Sequence, residues 1–184
     1  MLFERFDIAG PLLITPRRIG DDRGWFSEIF RDDLFRAQAG DVAFVQHNQS
    51  CSRRMGTVRG LHFQLEPMAQ GKLVRCPRGR IFDVAVDLRS SSPTYGRHVA
   101  LELSAENGRQ IWIPSGFAHG FCTLEPDCEI AYMVTAYFSP EHNRGLRWND
   151  PALAIDWPVA PSDAFLSPGD AVQPLLAELG PVFA

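Results

Sequence analysis

Apolar and polar residues trade places at every second position through much of this chain. Between Ile81 and Leu88, Phe82, Val84, Val86 and Leu88 fall on one side and Asp83 and Asp87 on the other, the pattern of a half-buried β-strand. Shorter runs that read as strands span Leu12–Thr15, Trp25–Phe30, Val42–Gln46, Leu73–Cys76, Val99–Leu103, Gln110–Ile113, Phe117–Leu124 and Glu129–Tyr137. Turn-forming groups separate them: Pro77-Arg78-Gly79, Ser92-Pro93, Asn107-Gly108, Pro114-Ser115-Gly116 and Glu125-Pro126-Asp127. Helical reading is confined to Asp32–Ala39 and a stretch near Val172–Leu179. Many short strands at regular spacing predict an all-β sandwich or barrel. A double-sheet jelly roll with short peripheral helices suits 184 residues and leaves a pocket between its sheets.

No internal repeat, low-complexity tract or linker divides the chain. Pro151, Pro158, Pro161 and Pro168 mark a winding C-terminal segment that should wrap the same domain. The expected division is N-terminal strands over 1–39, a jelly-roll core over about 40–140 and a C-terminal wrap over 141–184. An apolar share of 45% and a charged share of 22% are ordinary for a soluble globular protein. The formal net charge of −4 lacks the basic field of a nucleic-acid binder, although local arginines can still hold a small anion. Cys51, Cys76, Cys122 and Cys128 show no zinc-clip spacing and read as free thiols in a reducing compartment. Met1 to Gly10 carries Glu4, Arg5 and Asp7, and no apolar run reaches spanning length. A cytoplasmic protein without membrane contact is expected.

Candidate chemistry clusters in a few strings. In Arg59-Gly60-Leu61-His62-Phe63-Gln64, strand alternation turns His62 away from Leu61 and Phe63 and puts Gln64 on its side. His62 is either a hydrogen-bonded core histidine or a group projecting into a pocket. Upstream, Gln46, Asn48 and Ser50 share one strand face, which either meets solvent or lines a polar pocket. Lys72 opens an otherwise apolar strand, and His119 sits among small residues that let backbone approach a ligand. Tyr132 shares a face with Ile130 and Val134; it is either core or a buried phenol whose hydroxyl needs a partner.

Two histidine segments in a jelly roll also raise a metal site of the cupin type. The Pro-x-Gly-x-x-His half of that pattern is present at Pro114, Gly116 and His119. The His-x-His half is broken, because Gln64 stands where the second imidazole belongs and amides are poor transition-metal ligands. Near Met68 and Ala69, where a carboxylate would follow, there is none. No metal is expected. The remaining histidine, arginines, lysine and tyrosine suit proton transfer beside a stabilised enolate.

Taken in order, several strings resemble the dTDP-4-dehydrorhamnose 3,5-epimerase family: Asp22-Arg23-Gly24-Trp25-Phe26-Ser27-Glu28, Gln46-His47-Asn48-Gln49-Ser50, Arg59 to Gln64 and Gly71-Lys72-Leu73-Val74. The series continues with Ser92-Pro93-Thr94-Tyr95-Gly96, Pro114 to Phe121, Trp148-Asn149-Asp150-Pro151 and Ile155-Asp156-Trp157-Pro158. The resemblance runs from about Asp21 to Asp170. It implies a cupin-type jelly roll, a homodimer and catalysis with no metal or nucleotide cofactor. It further implies a substrate, dTDP-4-dehydro-6-deoxy-D-glucose, inverted at carbons 3 and 5 to dTDP-4-dehydro-L-rhamnose. His62 matches the family's general base, Tyr132 its general acid and Asp170 the aspartate that orients the histidine. Arg23, Glu28, Gln46, His47, Asn48, Arg59, Lys72 and His119 fall on its substrate contacts.

Three positions depart from the family pattern. Phe138 stands where a tyrosine stacks on thymine, Asn143 where a substrate-contacting glutamate is usual, and Gly169 where a lysine precedes the aspartate. None is the acid or the base. The physical chemistry fits: a ketone at carbon 4 acidifies the hydrogens on both neighbouring carbons. Inversion needs a base on one face and an acid on the other. Neutral imidazole serves as a base near pH 7, and a phenol of pKa about 10 keeps its proton until an enolate takes it. Lys72, with His119, suits the oxyanion; Arg23 and Arg59 suit the diphosphate. The alternatives are an enzyme that inverts one carbon or moves the keto group, a metal-dependent oxygenase, and a non-catalytic sugar-nucleotide binder.

Overall fold

The computed structural model describes residues 1–184. Its strands are β1 (Leu2–Arg5), β2 (Leu12–Thr15), β3 (Arg18–Asp21), β4 (Gly24–Ser27), β5 (Gln46–Ser52), β6 (Val58–Gln64) and β7 (Lys72–Arg78). They continue with β8 (Arg80–Asp87), β9 (His98–Ser104), β10 (Gln110–Ile113), β11 (Phe117–Thr123), β12 (Cys128–Val134) and β13 (Asn143–Gly145). The helices are α1 (Asp32–Ala39) and α2 (Leu176–Leu179), with 3-10 turns at Pro151–Leu153 and Asp170–Val172.

Two antiparallel sheets face each other as a jelly roll. One has six strands in the order β1-β2-β10-β7-β12-β5, the other five in the order β13-β6-β11-β8-β9. Strands adjacent in sequence thus often lie in opposite sheets, as β5 and β6 do. The space between the sheets is filled by Val74, Cys76, Ile111, Ile113 and Ile130 from the first and Ile81, Ala85, Leu103, Phe117 and Phe121 from the second. Burial drives the Cys76 thiol up to about 12, the behaviour of a packing residue and not of a nucleophile.

Both sheets are also covered outside. Leu12, Ile14, Leu73 and Trp112 on the six-stranded sheet pack under Phe35 of α1, joined by Phe30 and Phe44. On the five-stranded sheet, Leu61, Phe63, Val84, Val86, Leu88 and Ala118 lie beneath Leu153, Trp157, Leu176 and Phe183 of the C-terminal segment. Each large apolar side chain buried in this way contributes about 1.5–3 kcal/mol, so the wrap is held to the sheet by a hydrophobic seam. It ends up beside β6, where Thr57 bridges Phe165.

This double coverage overturns the half-buried reading of Ile81–Leu88. In β8, Asp83 and Asp87 are as buried as the valines, because one face meets the opposing sheet and the other the wrap. Three more differences have local causes. The strand expected over Val42–Gln46 begins only at Gln46; the residues before it serve the aromatic cluster under α1. The helix expected near Val172–Leu179 shrinks to Leu176–Leu179, since Pro174 cannot continue a helix begun before it. Strands β1, β3 and β13 lacked a readable alternation: Arg18-Ile19-Gly20-Asp21 and Asn143-Arg144-Gly145 carry almost no apolar signal.

Candidate active site

A cavity of about 610 Å³ opens between the sheets, inside the ~300–1,000 Å³ range of small-molecule sites. Only 3 of its 16 lining residues are hydrophobic, so its ligand must itself be rich in polar groups. One wall comes from the six-stranded sheet: Gln46, Asn48 and Ser50 of β5, Lys72 of β7 and Tyr132 of β12. The facing wall brings Arg59 and His62 of β6 with His119 and Phe121 of β11. The rim carries Gln70, Phe138 and Asn143, and the C-terminal segment closes one side with Ser167, Gly169, Asp170 and Gln173.

Alternation explains His62. Leu61 and Phe63 are sunk in the seam under the wrap, so the residue between them must face the cavity. Its Nε2 lies 2.5 Å from Asp170 Oδ1. An ionised carboxylate accepts only, so Nε2 carries the proton and Nδ1 keeps a lone pair. Asp170 is 4% exposed, and its other oxygen accepts from Ser167 Oγ at 2.8 Å. Burial works to raise its pKa, but the hydrogen bond and charge of His62, with Ser167, outweigh it and hold the carboxyl below its ordinary value.

Tyr132 enters from the opposite sheet. Burial raises its pKa, with the Arg59 charge pulling the other way; the phenol therefore keeps its proton through neutral pH. Lys72 Nζ reaches the His62 backbone carbonyl at 3.3 Å. Desolvation lowers its pKa to about 8, against the opposing pull of Asp83. Below the cavity His119 Nε2 meets Asp83 Oδ2 at 2.9 Å, with both side chains nearly closed off from solvent. The second oxygen, Asp83 Oδ1, is buried without a hydrogen bond, which leaves the carboxylate's charge directed at Lys72 and His119. Arg59 is braced by Ser52 Oγ at 3.0 Å and the Cys51 carbonyl at 3.2 Å.

Glutamines fix the aromatic rim. Gln64 donates to the carbonyls of Met68 and Tyr137 at 2.6 and 3.1 Å and accepts from Ser139 N at 2.8 Å. Gln46 accepts from Phe138 N at 3.1 Å, and Gln70 donates to the Ala136 carbonyl at 2.8 Å. Three side chains thus grip residues 136–139, which present Phe138. Gln64, expected to share the open side with His62, is 2% exposed and wholly occupied by backbone. The residue that breaks the metal pattern is a clasp.

Of the expected site residues, the structure gathers His62, Tyr132, Asp170, Gln46, Asn48, Arg59, Lys72, His119, Phe138 and Asn143 around one cavity. It does not bring in Arg23, Glu28 or His47. Arg23 sits at the turn of the β3–β4 hairpin, 89% exposed and paired with Asp21; Glu28 follows the same hairpin and is exposed. His47 is turned outward by the alternation that sends Gln46 and Asn48 inward. The sequence reading passed over Gln70, Ser167, Gln173 and, as a site residue, Asp83. For Asp83 a signal existed: a carboxylate within Ile81-Phe82-Asp83-Val84-Ala85-Val86. For Ser167 and Gln173 none did, because irregular chain has no period.

An imidazole and a phenol entering one polar slot from opposite sheets suit proton transfer on a polar ligand, and the comparisons make the protein an isomerase that works on nucleotide sugars. The chain belongs to the dTDP-4-dehydrorhamnose 3,5-epimerase family, whose sequence model matches residues 5–178. It is 59% identical over 179 residues to the dTDP-4-dehydrorhamnose 3,5-epimerase of Sinorhizobium fredii, covering 97% of this chain and 91% of that one. Among solved structures it is similar to the dTDP-6-deoxy-D-glucose-3,5-epimerase of Legionella pneumophila in complex with dTDP-4-keto-L-rhamnose. The TM-score there is 0.92 at 44% identity, over 97% of this chain and 94% of that one. A 3'-monoepimerase from Streptomyces bikiniensis in complex with dTDP-quinovose has the same fold at 32% identity, with a TM-score of 0.87 over 94% and 86% of the two chains.

Proposed function

We propose that this chain epimerises dTDP-4-dehydro-6-deoxy-D-glucose at carbons 3 and 5, giving dTDP-4-dehydro-L-rhamnose. The observation that carries the reading is the entry of His62 and Tyr132 into one cavity from opposite sheets. A ring lying between them loses a proton to the imidazole on one face and regains one from the phenol on the other. His62 Nδ1 is the base, Asp170 fixes its tautomer and supports the imidazolium, and Tyr132 is the acid. The Lys72 ammonium, with His119, stabilises the enolate oxygen; such a donor is typically worth ~3–4 kcal/mol. Because both acidic hydrogens flank the same carbonyl, one such set serves both carbons once His62 has released its proton to solvent and Tyr132 has regained one. Arg59 binds the diphosphate, and Phe138 stacks on the base.

The likeness to a 3'-monoepimerase shows that the fold also supports a single inversion. Turnover in heavy water separates the two: deuterium at carbons 3 and 5 of the product is expected, and deuterium at one carbon alone refutes the double reaction. The same reading makes residues 1–184 one catalytic unit that works in the cytoplasm as a homodimer, using no metal or other cofactor. No helix is long and apolar enough to cross a membrane. Two observations support the dimer. The β3–β4 hairpin stands off the sandwich with Ile19, Trp25 and Phe26 58%, 59% and 69% exposed, more apolar surface than a free hairpin tolerates. It also carries Arg23 and Glu28, family substrate contacts that lie outside their own chain's cavity. We read the hairpin as an arm that delivers them to the partner subunit.

A further inference from the structure

We propose that Gln173 is a substrate-binding residue that contacts the hexose beside His62. The proposal rests on the nucleotide-sugar reading above and adds a contact that the family pattern does not assign.

Four glutamines border the cavity or stand behind its wall. The amides of Gln46, Gln64 and Gln70 are spent on protein groups. Gln173, which like Gln46 and Gln70 lines the cavity, differs in that the protein holds only its backbone carbonyl, taken by Arg147 Nε at 3.1 Å. The neighbouring backbone is pinned as well. Arg147 N donates to the Pro174 carbonyl at 2.8 Å, and Leu176 N donates to Asp150 Oδ2 at 2.7 Å. The side chain then runs back to Gly145, where a Cβ would overlap its Cδ, Oε1 and Nε2 together. The amide therefore lies against bare backbone on one side, and the open side is the cavity.

Gly145 pairs with His62 in the β13–β6 register. Whatever touches the imidazole is within reach of this amide. A half-buried amide without a protein partner costs free energy unless a ligand or water engages it. It also offers both a donor and an acceptor, which suits a sugar hydroxyl whose direction changes as its carbon inverts. Asn143, another neutral amide, lines the same rim, so this part of the wall recognises hydroxyls without charge.

Calorimetric titration with dTDP and with dTDP-glucose tests the assignment, using Gln173→Ala and the near-isosteric Gln173→Leu. Both variants should bind dTDP as the wild type does and lose about tenfold in affinity for dTDP-glucose, the scale of one hydrogen bond. In turnover KM should rise by a similar factor, with kcat and its pH profile unmoved. If Gln173→Leu binds dTDP-glucose like the wild type, the amide only packs, and the assignment falls. If affinity for dTDP falls equally, or the pH profile shifts, Gln173 merely braces the segment carrying Asp170, which also overturns it. A wild-type chain that binds neither ligand overturns the functional reading and this contact with it.

Discussion

At the scale of single residues, the site works by setting one proton on each side of a ring. Asp170 keeps the His62 proton on Nε2, so the lone pair on Nδ1 is free to accept another. Tyr132, its pKa raised by burial, holds its proton until a stronger base appears. Lys72 carries a charge that changes just above neutral pH. With a pKa lowered to about 8, it is an ammonium below that value and neutral above it. The oxyanion support is therefore present at pH 7 and lost as pH rises through 8, well before Tyr132 ionises. We expect kcat/KM to fall along an alkaline limb near pH 8. In Lys72→Arg, whose guanidinium stays charged, that limb should vanish, whatever the loss in absolute rate. Rate profiles between pH 6 and 10 check this; a limb at the same place in both proteins would assign it elsewhere. His62 was legible from alternation, because Leu61 and Phe63 declare which face is core. Asp170 was legible only through family resemblance, since it lies in an irregular segment without periodicity. Asp83 was visible in the pattern but assigned to the wrong surroundings. Alternation says which residues share a face, not what covers that face.

At the scale of elements, strand centres could be read and strand partners could not. Gln110–Ile113 and Asp32–Ala39 match the structure residue for residue. The pairing of β6 with β11 and β13, which puts His62 beside His119 and Gly145, is a long-range fact that no local period records. Gln64 shows the consequence most clearly. In sequence it is the residue that spoils a metal motif; in the structure it ties β6 to the loop at Met68 and to the segment at 137–139. Gln64→Ala would leave two carbonyls and one amide N–H without their partner, at about 1–3 kcal/mol for a buried group. The expected result is a lower melting temperature together with weaker binding of dTDP, because Phe138 is no longer held at the rim. Turnover of saturating substrate should fall less than dTDP affinity, since Tyr132 stands on another strand and His62, although on β6 with Gln64, is held separately by Asp170. Unaltered dTDP affinity in a folded Gln64→Ala protein would show that the clasp does not serve the base-binding wall.

At the scale of the whole molecule, the fold separates chemistry from recognition. The proton-transfer groups rise from the two sheets and the wrap, which one chain builds for itself. The hairpin, with Arg23 at its turn, carries Trp25 and Phe26 along it with much of their surface left uncovered by their own chain. In the two-fold dimer proposed above, each arm meets the same surface on the other subunit, and every complete site combines residues of both chains. That arrangement predicts complementation. Arg23→Ala and His62→Ala should each be nearly inactive as pure homodimers. After mixing and subunit exchange, half the dimers are heterodimers, and each of these holds one site with neither defect. Activity should return to about a quarter of the wild-type value, with sedimentation confirming that the mixture remains dimeric. If Arg23 served its own chain's cavity, both sites of that heterodimer would carry one defect and no activity would return; the converse pattern follows when both substitutions are placed in one chain. Paired with a wild-type chain, the double variant spoils both sites if the arms cross and only one if they do not. Half-activity in that heterodimer would return Arg23 to its own subunit.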